Sequence, residues 1–110
     1  MKKARTPDVL ADLGRFSEPA LLILISLAEG PKHGYAMTQD IETVSGQRLG
    51  PGTLYGAIAR LEARRWIEPL PAEDRRRPYR LTGAGEKVLR ARLDSLRAVA
   101  RIGQSRLVEG

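Results

Sequence analysis

Apolar residues recur along this chain in two rhythms, and the slower one dominates. From Leu54 they fall at Leu54, Ala57, Ile58 and Leu61, the three-and-four spacing of a helix that buries one face. Gly52, Gly56, Ala59 and Ala63 lie opposite that stripe, with Thr53, Tyr55, Arg60 and Arg64 distributed around it. The outer face is therefore low in relief and edged with donors, which suits a groove and equally suits neutral filler. Upstream, Val9, Leu10 and Leu13 share one side of a short amphipathic stretch that ends at Gly14. Ser17-Glu18-Pro19 predicts the next helix start: serine caps free amides, the acid faces the positive end of the dipole, and proline gives up no needed donor. That helix runs to Ala28 and stops at Gly30-Pro31; Leu21, Leu22, Leu24, Ile25 and Leu27 cover most of its circumference, which makes it the central core helix. A further helix, Gly34 to Val44, carries Met37, Ile41 and Val44 as its stripe and ends at Ser45-Gly46.

The faster rhythm begins after residue 65. Trp66 to Leu70 and Tyr79 to Thr82 read as short strands, with Tyr79 and Leu81 inward and Arg80 outward. Between them "PAEDRRRP" predicts a hairpin with a long basic tip, where Glu73 and Asp74 either hold the arginines on the protein or repel the nucleic-acid backbone while the arginines engage it. Thr82 offers an N-cap to a last helix running towards Val108, in which Leu89, Leu93, Leu96, Ala100, Gly103 and Leu107 form a heptad seam. A terminal helix beyond a complete domain has little of that domain left to cover, so the seam predicts a second copy of the chain.

Charge changes this picture more than bulk composition does. At 110 residues and 42% hydrophobic the chain has room for one domain with a modest core. Its longest apolar run, Ala20 to Ile25, is too short to span a bilayer, and no secretory apolar region follows the basic start, Met1 to Arg5, so a cytoplasmic location is expected. With no cysteine and one histidine, thiol chemistry and a Cys/His zinc site cannot be built, and no metal or other cofactor is expected. The net charge of +6 is unevenly placed: residues 1–59 hold six Lys/Arg against six Asp/Glu, whereas residues 60–106 hold thirteen against six. A polyanionic partner follows, nucleic acid first and acidic membrane second, unless the surface is basic only for solubility. No carboxylate pair, nucleophile with a base, or phosphate-binding glycine loop stands at a spacing that would make an enzyme.

Three short helices followed by a hairpin is the order of a winged helix, in which the third helix enters the major groove and the hairpin reaches along the backbone. The fold class expected is mainly α with a small β-hairpin: a winged helix-turn-helix over residues 17–83, an N-terminal arm and helix over 1–16, and a dimerisation helix over 84–110. In that setting the glycine-proline start of the third helix lets its amides approach a phosphate closely, and Thr53 and Tyr55 can reach phosphate, sugar or a thymine methyl.

The stretches "LAEGPKHGYAM", "LGPGTLYGAIARLE" and "RPYRLTGAG" resemble successive signatures of the PadR family of bacterial transcriptional regulators, over roughly residues 20 to 90. The resemblance implies a dimer on double-stranded operator DNA, usually a repressor released by a small molecule or a stress signal. It implies DNA-binding roles for Tyr35, Thr53, Tyr55 and the wing. With the helix face and the basic rim added, the candidate DNA-binding set is Lys32, His33, Tyr35, Gly52, Thr53, Tyr55, Gly56, Arg60, Arg75, Arg76 and Arg77. His33 stands at a helix start, where it can cap or touch phosphate. In the family's small subgroup the N-terminal and last helices form the dimer interface, which places Leu10, Leu13, Leu89, Leu93, Leu96, Ala100 and Leu107 there. Two features depart from the family pattern. Arg65 stands before Trp66 where many members carry glycine, so the turn there must be made without the usual residue. No aromatic follows Tyr79, so the aromatic sandwich that some small members use for planar ligands has no counterpart, and the effector is unidentified. Trp66 is expected in the core. The competing reading is a basic membrane-surface or protein-interaction module without DNA specificity; the arginines at 90, 92, 97, 101 and 106 spread around the last helix, which weakens its membrane form.

Overall fold

The computed structural model describes residues 9–109; the basic start, Met1 to Arg5, lies outside the described residues. The described residues begin with a 3-10 segment, Leu10–Phe16, followed by α1 (Ser17–Glu29), α2 (Gly34–Ser45), α3 (Pro51–Ala63), β1 (Ile67–Pro69), β2 (Tyr79–Leu81) and α4 (Gly83–Glu109). This is mostly helix with one two-stranded antiparallel sheet. It is the winged-helix order with a long last helix.

The nearly all-apolar α1 is central, as its circumference requires: Ala20, Leu21, Leu22, Ile23, Leu24 and Leu27 are all buried, and α2, α3, α4 and β2 pack around it. Leu54, Ala57, Ile58 and Leu61 of α3 join Met37 and Ile41 of α2 and Trp66 and Ile67 in one core. Each large side chain withdrawn from water here contributes about 1.5–3 kcal/mol. Val44 does not join its stripe: it lies on the last turn of α2 and is exposed.

Two expectations at the amino end are corrected. The Val9-Leu10-Leu13 stretch is not an α-helix but a 3-10 turn interrupted at Gly14, whose φ of 59° and ψ of −125° suit only glycine. Because the chain runs from that turn directly into α1, Phe16 takes the N-cap position, and the Ser17 side chain makes no capping bond. Leu10 and Leu13 are buried in the chain's own core.

The strands pair in the register Ile67↔Leu81, Glu68↔Arg80, Pro69↔Tyr79. Tyr79 and Leu81 are half-buried against the core and Arg80 points out, ion-paired with Glu68 across the ladder. Lys32, between α1 and α2, exchanges both backbone bonds with Tyr79 (3.2 and 3.0 Å) and so adds a third, one-residue rung beside β2. The tip is tighter than the sequence suggested. Glu73 and Arg76 exchange backbone bonds of 2.7 Å around Asp74 and Arg75, both at positive φ (48° and 68°), the two-residue turn that matches strand twist.

At the end of α3, Arg65 itself adopts the left-handed conformation, φ 60°. The Arg65 N–H donates to the Glu62 carbonyl (2.9 Å) and the Trp66 N–H to that of Leu61 (3.1 Å), the two bonds of a Schellman cap. Thr82 locks this turn to α4: its Oγ1 donates to the Arg65 carbonyl (2.7 Å) and accepts from the Gly85 N–H (3.0 Å), which is the expected N-cap. Full burial on α4 ends at Leu89, after Gly85 and Val88; Ala91, Arg92, Ser95 and Ala98 are half-buried, while Leu93, Leu96, Val99, Ile102 and Leu107 are exposed. Among the described residues no helix is long and apolar enough to cross a membrane.

Candidate nucleic-acid interface

The outer face of α3 begins at an open helix end. Gly50 occupies the N-cap with no side chain to cap the first turn, and Pro51 follows at the first helical position. Gly52 and Thr53 are exposed there, so their amide groups stand at the positive end of the helix dipole without a side-chain acceptor over them. Ala59 and Ala63 continue the smooth strip along the helix. Its two edges are about 140° apart at a hundred degrees per residue, Tyr55 on one and Arg60 on the other.

On the first edge, Tyr55 is 54% exposed, yet its hydroxyl rests against the backbone of α2 at Gly34, where a Cβ would collide with the phenol oxygen and meet Cζ at 3.0 Å. Tyr35, 61% exposed, stands next in sequence on α2 and accepts a bond from Gln39 Nε2 (3.1 Å). The glycine of "HGY" and the tyrosine of "TLYG" are thus halves of one contact. Sequence reasoning missed this because the two lie on different helices.

On the second edge Gly56 is not part of the open strip. It is half-covered by Phe16, whose Cε1 lies 2.8 Å from where a Cβ would be. The Arg60 guanidinium stacks over the same ring at 3.8 Å and donates to the Gly56 carbonyl (2.9 Å). Gly56 is therefore a packing glycine.

Of the pair ahead of Gly34, Lys32 turns inward. Its side chain is only 13% exposed, and its ammonium donates to the Ser26 carbonyl (2.6 Å) near the end of α1 and pairs with Glu29 (2.9 Å) and Asp40 (3.9 Å). A cation at a helix C-terminus, satisfied by backbone and carboxylates, is a structural strut, and Lys32 leaves the candidate set. His33 does cap α2: its Nδ1 accepts from the Ala36 N–H (3.3 Å). The neutral ring then carries its proton on Nε2, which lies 3.4 Å from Arg76 Nη1 of the wing. Two donors face one another there, an arrangement that an anion between them would satisfy.

In the wing, Arg77 donates to the Leu70 carbonyl (2.8 Å) and Arg76 leans on His33, while Arg75 at the turn forms no ion pair among the described residues. Glu73 and Asp74 form no ion pair with any of the three arginines, yet both line the same open pocket as His33 and Arg76, so an anion seated there meets two donors with two carboxylates close by. At the wing's base, burial holds the Tyr79 phenol above its usual 10.0; Glu62 and Tyr55 add to this and Arg77 opposes it.

The structure gathers His33, Tyr35, Gly52, Thr53, Tyr55, Arg60 and the wing arginines onto α2, α3 and the hairpin. It sets the interface residues apart: Leu89, like Leu10 and Leu13, is buried within the chain, because the first turns of α4 pack on α1. Leu93, Leu96, Ala100 and Leu107 remain exposed, and Val99 and Ile102, which the heptad omitted, are exposed beside them.

Comparison with known proteins places these features in a set. Residues 23–91 match the transcriptional regulator PadR-like family. Over 82 residues the chain is 50% identical to an uncharacterized 37.1 kDa protein in transposon Tn4556 of Streptomyces fradiae; the match takes in 74% of this chain and 24% of that protein, so the chain spans about a quarter of the length of the curated relative it matches. A transcriptional regulator from Clostridium thermocellum superimposes with a TM-score of 0.72 at 28% identity, covering 86% of this chain and 96% of the other. A PadR family transcription regulator from Clostridium difficile superimposes with a TM-score of 0.71 at 22% identity, covering 80% and 96%.

Proposed function

The chain belongs to the transcriptional regulator PadR-like family, a family of DNA-binding regulators and not of enzymes, and on that premise we propose that it acts as a homodimeric repressor on a palindromic duplex operator. Residues 17–83 bind the DNA, and the last helix, within 84–110, pairs two copies. The observation that carries this reading is the outer face of α3. Its open amino end, Gly52 and Thr53, would sit at a phosphate, and its smooth strip would lie in the major groove. Tyr55 turns its ring to a base edge such as a thymine methyl, and Tyr35 reaches the groove wall on the α2 side. His33 Nε2–H and Arg76, two donors 3.4 Å apart, take one phosphate oxygen between them. Arg75 at the wing tip extends along the backbone or into the minor groove.

Pairing through α4 follows from its uncovered apolar side. Leu93, Leu96, Ala100 and Leu107 continue at heptad spacing past the point where α1 stops covering the helix. A two-fold pair would set two α3 helices about one duplex turn apart, so the operator would share that symmetry. Release from DNA by a small molecule or stress signal, and a cytoplasmic location, belong to the same reading.

The test is equilibrium binding of labelled duplex DNA from upstream of the protein's own gene, beside a scrambled duplex and vesicles of anionic lipid. Tighter binding to the upstream DNA than to the scrambled duplex supports the reading. Equal binding to both duplexes contradicts sequence specificity, and binding to vesicles alone supports a membrane-surface module instead.

A further inference from the structure

Phe16 gathers two guanidinium groups at one place. Arg60 of α3 lies 3.8 Å over its ring and Arg15, the preceding residue, lies 5.0 Å from the same centroid. Neither forms an ion pair with a carboxylate among the described residues, and both are exposed. Like charges are not drawn together without cause, because each raises the cost of the other. Here the backbone imposes the meeting. The glycine-only conformation of Gly14 turns the chain just before Arg15, and Gly56 gives the edge of the Phe16 ring room against α3. The Gly56 carbonyl then accepts one N–H of Arg60 (2.9 Å), leaving the rest of its donor fork free to bind outward.

We infer that Arg15 and Arg60, gathered on Phe16, form a phosphate clamp that grips the DNA backbone on the side of the major groove opposite the wing. The inference rests on the reading of α3 as the helix that enters the groove. Its placement follows from the helix: Tyr55, the α2 tyrosine and the wing flank one edge of the strip Gly52-Ala59-Ala63, and the Arg60 edge faces the other wall. A groove has two phosphate walls, and the wing serves only one of them. Stacking on an aromatic face holds a guanidinium in place without neutralising it, so the fork reaches the phosphate already oriented. Arg15 and Arg60 are the binding residues; Phe16 is a positioning residue that acts through them.

The experiment measures affinity for non-operator duplex DNA across a salt series. Each phosphate neutralised adds about 0.9 to the slope of log affinity against log salt. Arg15→Gln and Arg60→Gln should each flatten the slope by about 0.9 per subunit. Phe16→Leu should weaken binding by about two- to five-fold, the range that loss of an exposed cation–π contact implies, and Phe16→Tyr should bind as wild type. In the Arg15→Gln/Arg60→Gln background, Phe16→Leu should have no further effect, since its role runs through those groups. Thermal unfolding of each variant separates loss of fold from loss of binding, and Arg15→Gln, at an exposed position, keeps the test decisive if Phe16→Leu unfolds. Unchanged slopes in both arginine variants, with the slope still sensitive to the wing arginines, overturn the clamp and leave the α3 reading intact. A wild-type protein that binds no duplex DNA overturns both.

Discussion

Single residues carry most of what the local pattern could not announce. The apolar stripe of α3 was legible because burial repeats with the helix period, and Leu54, Ala57, Ile58 and Leu61 are all buried. Gly34, Gly56 and Gly85 were not, since each answers to a residue distant in sequence: Tyr55, Phe16 and the Trp66 carbonyl. A Cβ on Gly85 would meet the Trp66 carbonyl carbon at 2.8 Å, backbone against backbone, so Gly85→Ala should cost about 3 kcal/mol, the upper end for overpacking, measured by urea unfolding. Arg65 makes the opposite case. It holds a left-handed conformation that glycine adopts freely, and its N–H rather than its side chain makes the cap, so Arg65→Gly should stabilise the protein by about 1 kcal/mol. An unchanged or lower unfolding midpoint would show that the Arg65 side chain contributes more than the strain removes. Tyr79 supplies a pH dependence. Its folded pKa lies above the unfolded value of 10.0, so the stability it contributes is fully present below pH 10 and is lost as pH rises past it. Tyr79→Phe should remove that part of the alkaline decline in unfolding free energy. Tyr55→Ala should weaken specific DNA binding by roughly 1–3 kcal/mol, the range of one good base contact, with the fold retained because the residue is 54% exposed and lies off the buried stripe of α3.

At the scale of elements, order and type were readable from periodicity, while ends and tips were not. The hairpin was expected because two short runs flank a charged, proline-bounded segment. Its tight turn was hidden, since Asp74 and Arg75 are not the glycine-bearing pair that usually announces positive φ. That turn and the tie of Arg77 to the Leu70 carbonyl leave Arg75 foremost, with Arg76 beside His33. Replacing all three with alanine should flatten the salt slope by roughly 1 to 2 units per subunit on operator and non-operator DNA alike, because phosphates carry no sequence. A loss confined to operator DNA would point to minor-groove reading. The last helix shows the other limit of pattern reading. A heptad runs unbroken from Leu89 to Leu107, yet its first member faces α1 and the rest face solvent, and only the packing of α1 decides where one role ends. Leu107 is 82% exposed. Leu96→Glu should therefore leave the monomer fold unchanged and shift sedimentation from dimer to monomer at micromolar concentration. A mutant that still sediments as a dimer would place the interface elsewhere.

The whole molecule joins these parts along one direction. It measures 55 × 33 × 23 Å, the length coming from an α4 that outruns the core, about 40 Å of helix at 1.5 Å per residue. Its positive excess lies entirely after residue 59, half of it in the end of α3 and the wing and half on α4, which agrees with a polyanionic partner. Family membership was legible in three motifs. The reason for them was not, because "HGY" and "TLYG" explain each other only in three dimensions. The central claim is that α3 reads duplex DNA from a two-fold pair, and selection of bound duplexes from a random pool tests it most directly. The account predicts enrichment of an inverted repeat whose half-sites lie about 10 base pairs apart, lost when Tyr55→Ala protein is used. Recovery of a pool no different from its input, or the same repeat enriched by the Tyr55→Ala protein, would contradict it.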